Sequence, residues 1–70
     1  MKSRLRVLRA ERGLTQEQLS AAIGVSRQAI NALETERHDP SLDLAFRIAA
    51  TLDLAVEDVF PNPHLDRSPS

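Results

Sequence analysis

The chain has 70 residues, no cysteine and a mass of 7.8 kDa, so one small domain must be stable without disulfides or cysteine-bound metals, and a second subunit is an obvious support. No apolar run approaches the roughly 20 residues of a membrane span, and the N-terminus lacks a signal-peptide pattern, so we expect a cytoplasmic protein outside the membrane. The formal net charge of −1 by itself argues against a nucleic-acid partner, because domains that bind nucleic acid tend to be basic.

The first predicted helix spans residues 3–12. Leu5 and Leu8 are three positions apart, so they lie on one face of a helix together with the aliphatic part of Arg12. Gly13 follows directly, and glycine is the residue that most often ends a helix in the left-handed conformation. An amphipathic helix with one buried face is therefore expected here.

A second helix is predicted to begin after Thr15. Gln18 stands three residues further on, and a threonine and a glutamine at this spacing make a capping box. Gly24 is expected to end this helix, because glycine adopts the left-handed conformation at little cost. The expected buried stripe of the helix consists of Leu19, Ala22 and Ile23.

Ser26 is a natural N-cap for a third helix, and only residues 24–26 separate this helix from the second. Helices joined by so short a turn cross steeply, as in a helix-turn-helix unit, although a plain corner between two helices has the same ingredients. The spacing alone leaves both interpretations open. The third helix is expected to direct Ala29, Ile30 and Leu33 inward and to present Arg27, Gln28 and Asn31 on its outer face.

The second half of the chain is predicted to contain two further helices. Ser41 follows a polar loop and caps a strongly apolar helix over residues 42–52. A short helix over residues 56–60 comes next, and it should fray unless a partner holds it, because no Ser or Thr precedes it as a cap. Residues 1–60 then form one domain, and the proline-rich residues 61–70 form a flexible tail.

The charge is unevenly distributed along the chain. Residues 1–37 contain seven Lys or Arg and four Asp or Glu, which gives +3, whereas residues 38–70 contain two and six, which gives −4. Such a chain can present a cationic face to a polyanion and keep an acidic back. Charges scattered over the surface without this role explain the composition equally well.

Two longer motifs become visible once the helices are placed. The first is ERGLTQEQLSAAIGVSRQAINALE, with its LTQEQLS start and GVS turn, and the second is DPSLDLAFRIAATLDLAVEDVF. They lie within residues 3–60 and together resemble the Xre type of helix-turn-helix, the DNA-binding domain of the phage Cro and cI repressors. The resemblance implies an all-α, five-helix, lambda-repressor-like domain with its helix-turn-helix at helices two and three. It also implies a bacterial or phage repressor of transcription that binds double-stranded DNA as a homodimer and needs no cofactor.

Position by position, the resemblance places the N-terminal part of the third helix in the major groove. Arg27 and Gln28 match base-contacting positions, and the chemistry agrees because Arg pairs well with guanine and Gln with adenine. Asn31 is placed near a base edge or a phosphate, and Gln16 matches a residue that binds phosphate and braces the third helix. The implied DNA-binding residues are Gln16, Ser26, Arg27, Gln28, Asn31, Thr35 and Arg37, of which Ser26, Thr35 and Arg37 are expected at backbone phosphates.

Two acidic residues, Glu34 and Glu36, have different expected roles. Glu34 and Arg9 match a pair that forms an internal salt bridge in relatives, so we expect Arg9 to be structural rather than a DNA contact. Glu36 departs from the pattern, because relatives commonly carry a glycine shortly after the third helix. A carboxylate at this point stands near the expected DNA backbone, so the path of the loop and its phosphate contacts are left open.

The apolar surface of the fourth and fifth helices exceeds what one small core needs, so we expect a two-fold interface between subunits and an inverted-repeat operator. The expected interface residues are Leu54, Val56, Val59 and Phe60. An antitoxin-like or adaptor module that uses the same helices on a protein partner is the alternative. Neither catalysis nor a metal site is expected, because His38 and His64 are isolated and the acidic residues form no paired cluster.

Overall fold

The computed structural model describes residues 1–64. Within them the chain forms five helices and no strand, and the helices are α1 Leu5–Glu11, α2 Gln16–Ile23, α3 Arg27–Glu34, α4 Leu42–Thr51 and α5 Val56–Val59. The all-α, five-helix prediction is therefore confirmed. The division into a domain of residues 1–60 and a flexible tail stays a prediction, and residues 65–70 of that tail lie outside the described residues.

Side-chain caps decide where three of the helices begin. The hydroxyl of Thr15 accepts the backbone N–H of Gln18 at 3.0 Å, and the Gln18 carboxamide accepts the Thr15 N–H at 2.9 Å, which completes the predicted capping box. Ser26 and Ser41 cap α3 and α4 in the same way, each accepting the N–H three residues on at 3.1 Å. These local signals position the helices as the sequence predicted.

Helix α1 begins at Leu5, two residues later than predicted. The Ser3 hydroxyl accepts the N–H of Leu5 at 3.1 Å and holds residues 3 and 4 outside the helix. The N–H of Arg4 donates instead to the carbonyl of Val59 at 2.8 Å, so the start of the chain is attached to α5.

The core lies where α1, α2, α3 and α4 meet, and α5 closes it against α4. Leu5, Leu19 and Ile30 are fully buried at its centre. The buried stripe of α2 differs from the prediction, because Ala22 is exposed and Ser20 is buried. Ser20 tolerates burial since its hydroxyl donates to the carbonyl of Glu17 at 2.8 Å.

Two of the four residues expected at the dimer interface are buried at the end of α5, so this part of the prediction is wrong. Val59 is 0% exposed and Phe60 is 5% exposed, so both belong to the core of this chain and offer a partner almost no surface, although Phe60 also lines the apolar groove beside α4. Leu54 and Val56 are partly buried against the same core. The exposed large apolar residues nearby are on α4 instead, where Leu42 is 68% and Phe46 is 56% exposed. No helix in residues 1–64 is long and apolar enough to cross a membrane.

Candidate nucleic-acid interface

The turn between α2 and α3 holds the two helices in contact. Gly24 adopts φ +89°, in the left-handed region that glycine adopts at little cost and residues with a Cβ adopt rarely. Val25 is partly buried against the core and fixes the corner from inside. Arg47 of α4 donates to the last carbonyl of α2, that of Ile23, at 3.2 Å. Sequence reasoning missed this contact, because no local pattern links residues 24 positions apart.

The outer face of α3 carries Arg27 and Gln28. Both are exposed, and neither side chain has a hydrogen bond or ion pair with another residue in the described part of the chain. The opposite face of the helix is anchored by Ile30 and Leu33, which are 0% and 3% exposed. A rigid helix therefore presents a guanidinium and a carboxamide, both with their donors available, from its first turn.

Behind this face, Glu34 forms a buried ion pair with Arg9. The guanidinium meets the carboxylate through two bonds, Nε to Oε2 at 2.6 Å and Nη2 to Oε1 at 3.2 Å. Its Nη1 donates to the carbonyl of Leu14 at 2.7 Å. The side chains are 16% exposed for Arg9 and 2% for Glu34. The hydrogen bonds to Glu34 raise the pKa of Arg9 above its ordinary value, so Arg9 ties α1 to α3.

Gln16, at the start of α2, connects this ion pair to the outer face. Its Nε2 donates to Oε1 of Glu34 at 3.0 Å and to Oδ1 of Asn31 at 3.2 Å. Gln16 and Asn31 are both half-buried. The structure thus brings Asn31 together with Gln16, and both side chains are held by the ion pair beneath them.

Two further predicted residues lie at the C-terminal end of α3. The Thr35 hydroxyl donates to the carbonyl of Asn31 at 2.8 Å, and Nε of Arg37 donates to the Thr35 hydroxyl at 3.1 Å. The Arg37 chain therefore folds back along α3. As a result, one shallow polar recess is lined by Gln16, Arg27, Gln28, Asn31 and Arg37. Ser26 lies apart from it, at the N-terminus of the helix, as the cap.

Glu36 adopts the backbone conformation that a glycine would adopt in this turn. Its φ is +62°, in the left-handed region, so the loop reverses direction without the glycine that the resemblance led us to expect. Its carboxylate accepts the backbone N–H of Ser3 at 2.9 Å. The negative charge is therefore attached to the N-terminal segment.

The fold agrees with three comparisons. A helix-turn-helix family model matches residues 5–59. An uncharacterized HTH-type transcriptional regulator of Methanocaldococcus jannaschii is 50% identical over 60 residues, which cover 86% of this chain and 91% of that protein.

Two solved structures share the architecture. The restriction-modification controller protein C.AhdI of Aeromonas hydrophila superimposes with a TM-score of 0.74 at 33% identity, covering 79% of this chain and 83% of that one. The N-terminal DNA-binding domain of SinR from Bacillus subtilis superimposes with a TM-score of 0.75 at 24% identity, covering 89% and 91%. This second likeness concerns the fold alone.

Proposed function

The chain belongs to the helix-turn-helix family of DNA-binding transcriptional regulators, and on that premise we propose that it is a sequence-specific repressor acting in the cytoplasm. It binds an inverted-repeat operator as a homodimer, with the N-terminal part of α3 in the major groove. The observation that carries this proposal is the exposed pair Arg27 and Gln28, which have no partners among the described residues. The direction of control, repression, rests on the resemblance to Cro and cI repressors.

The chemistry of the pair suits the major groove. A guanidinium donates two hydrogen bonds to O6 and N7 of guanine, and a carboxamide donates to N7 and accepts from N6 of adenine. Arg27 and Gln28 are free to do both, because no bond within the described residues occupies their polar atoms. Two adjacent positions of the operator are therefore expected to depend on these two residues.

Phosphate contacts on either side of α3 would fix its register on the duplex. Ser26 uses its oxygen as an acceptor for the cap, so its hydroxyl proton is still available to a phosphate. Within residues 1–64, Arg37 uses only Nε for a hydrogen bond, so its terminal nitrogens are left for a phosphate. Residues 1–37 carry +3 and residues 38–70 carry −4, which supports an approach of the first three helices to DNA.

The homodimer would bury the apolar groove between α4 and α5. This groove contains the exposed Leu42 and Phe46 together with the partly buried Val56. A two-fold dimer would set two copies of α3 about 34 Å apart, one turn of DNA. The groove would be occupied by the same groove of a second copy of the chain. A two-fold dimer recognises an inverted repeat, and association with a second subunit stabilises a small domain.

Sedimentation tests the dimer. Phe46→Glu should shift the protein toward the monomer at micromolar concentration, because a charge would be buried in the interface. Val7→Glu is the matched control, since Val7 is 54% exposed on α1, away from the groove. A wild type that is strictly monomeric, or equal effects of the two substitutions, would contradict the interface.

Selection of bound duplexes from a random pool tests recognition. The wild type should return an inverted repeat, and Arg27→Ala and Gln28→Ala should each abolish the preference at one position per half-site. Arg6→Ala removes the same charge as Arg27→Ala from the exposed face of α1 and should leave base preference unchanged. The alternative is the antitoxin-like or adaptor function, which the same apolar groove favours. It would be supported if the selection enriched no sequence and the protein bound a protein partner with an affinity that does not change with salt.

A further inference from the structure

We infer that Asn31 directs its Nδ2 donor toward the DNA, because Arg9, Glu34 and Gln16 fix which end of its amide points outward. This inference rests on the proposed DNA binding and specifies how one residue of that site reads its ligand. The ligand is an acceptor atom of the duplex, either a base edge or a phosphate oxygen.

Glu34 determines which atoms can face it, because its carboxylate only accepts hydrogen bonds. A carboxylate that is paired with a guanidinium offers only acceptor oxygens, and here Oε1 receives both Nη2 of Arg9 and the amide of Gln16. The atom of Gln16 that faces Oε1 must therefore be the NH₂ nitrogen. The reverse orientation would place two oxygens against each other beside a carboxylate that is 2% exposed.

Gln16 in turn fixes the orientation of the Asn31 amide. An amide nitrogen has two hydrogens, and Gln16 donates one to Glu34 at 3.0 Å and the other toward Asn31 at 3.2 Å. The atom of Asn31 that faces Gln16 must then be Oδ1. Since the oxygen and nitrogen of an amide lie on opposite sides of its terminal carbon, Nδ2 is the end directed away from Gln16. Nδ2 has no partner among residues 1–64.

This orientation changes what Asn31 can recognise. An unrestrained asparagine reads adenine with both ends of its amide, through N6 and N7. With Oδ1 turned toward Gln16, Nδ2 is the end directed at the duplex, and of the two adenine atoms only the N7 acceptor suits it. Guanine offers two acceptors, O6 and N7, and thymine offers O4. Gln16 has no side-chain donor left for a phosphate, so its side chain acts here as a positioning residue.

The free protein provides a direct test by nitrogen-15 NMR. The side-chain N–H groups of Gln16 should exchange with water several-fold more slowly than those of Gln18, whose carboxamide is used only as an acceptor. The side-chain signals of Asn31 should move in Gln16→Met and stay in place in the matched control Gln18→Met. Unprotected N–H groups in Gln16, or an Asn31 signal that ignores Gln16→Met, would overturn the inference.

Binding experiments then identify the acceptor. Asn31→Ala should weaken binding to the selected operator by about tenfold, and Asn31→Asp should bind no better than Asn31→Ala because it presents an acceptor to an acceptor. Loss of a guanine or thymine preference at one position per half-site assigns a base edge, whereas an equal loss on all duplexes assigns a phosphate.

The inference and the proposed function fail in different ways. Full affinity in Asn31→Asp would refute the donor role while leaving the repressor intact. A wild type that binds no duplex would refute the proposed function, and the donor role of Asn31 with it.

Discussion

We predict that Glu34→Ala destabilises the fold strongly. The carboxylate is 2% exposed and accepts two bonds from Arg9 and one from Gln16. Its removal leaves Arg9, which is 16% exposed, with only its bond to the carbonyl of Leu14. Removal of one partner from a buried ion pair typically costs about 3–5 kcal/mol, because the other charge is left without compensation.

This loss is large compared with the stability of so small a domain. At about 0.05–0.15 kcal/mol per residue, a chain of 70 residues has an unfolding free energy of roughly 4–10 kcal/mol. For domains of this size 1 kcal/mol corresponds to about 4–8 °C in Tm. A loss of about 3 kcal/mol would therefore lower Tm by at least about 12 °C, and a loss of about 5 kcal/mol would unfold the protein at ambient temperature only if its stability lies at the lower end of this range.

Thermal and urea unfolding followed by circular dichroism measure the effect. Glu11→Ala is the matched control, because Glu11 is exposed at the end of α1 and has no hydrogen bond or ion pair among the described residues. It should change the unfolding free energy by less than about 0.5 kcal/mol. The double variant Arg9→Met with Glu34→Leu should recover much of the loss, because it removes both charges and keeps apolar volume.

The pH dependence has a definite sign. The pKa of Arg9 is raised in the folded state, so the stability it contributes is present below the unfolded pKa and is lost only as pH rises through the folded pKa. Both values lie far above neutral pH. The difference in stability between wild type and the double variant Arg9→Met with Glu34→Leu, which has neither charge, should therefore be constant over about pH 6–9. Unchanged melting of Glu34→Ala, together with loss of DNA binding in Arg9→Ala, would refute the structural role and make Arg9 a DNA contact.

Three further predictions concern caps and turns. Ser26→Ala and Ser41→Ala should each lower the unfolding free energy by about 1 kcal/mol through loss of an N-cap, but only Ser26→Ala should also weaken DNA binding. The salt dependence of that binding should stay unchanged, because a neutral hydroxyl neutralises no phosphate and releases no counterion. Gly24→Ala should lower stability by about 1–2 kcal/mol, measured by urea unfolding, since φ is +89° there. Asp53→Gly should raise the urea midpoint slightly at unchanged m-value, because Asp53 holds a φ of +57° at the end of α4.

Features coded by neighbouring residues were predictable from the sequence. The capping box of Thr15 and Gln18, the cap of Ser26 and the left-handed Gly24 all depend on residues a few positions apart, and the structure contains each of them. The helix-turn-helix follows from these signals, because they fix both ends of a short turn. The seven proposed DNA contacts came from the resemblance, and the structure gathers five of them in one recess.

Features that depend on distant contacts were not predictable in this way. Phe60 and Val59 were expected at a partner surface, yet both side chains are buried in the core cluster, which gathers residues from the whole length of the domain. Ala22 was assigned to the core in place of Ser20, because hydrophobicity alone does not show that a serine hydroxyl finds an acceptor within its own helix. Each error reflects a tertiary contact or a satisfied polar group that periodicity does not encode.

The Glu34 carboxylate contributes both to the stability of the fold and to the orientation of the DNA-binding face. The DNA affinities of variants must therefore be compared at a temperature where all of them are folded. Glu34 supports the core through Arg9 and the outer face through Gln16, so Glu34→Ala should lower both Tm and DNA affinity. Asn31→Ala breaks no ion pair and replaces a poor helix former with a good one, so its Tm should stay near that of the wild type. At a temperature well below both midpoints the two variants are almost fully folded. Any remaining affinity loss in Glu34→Ala then measures the orientation of the interface rather than unfolding.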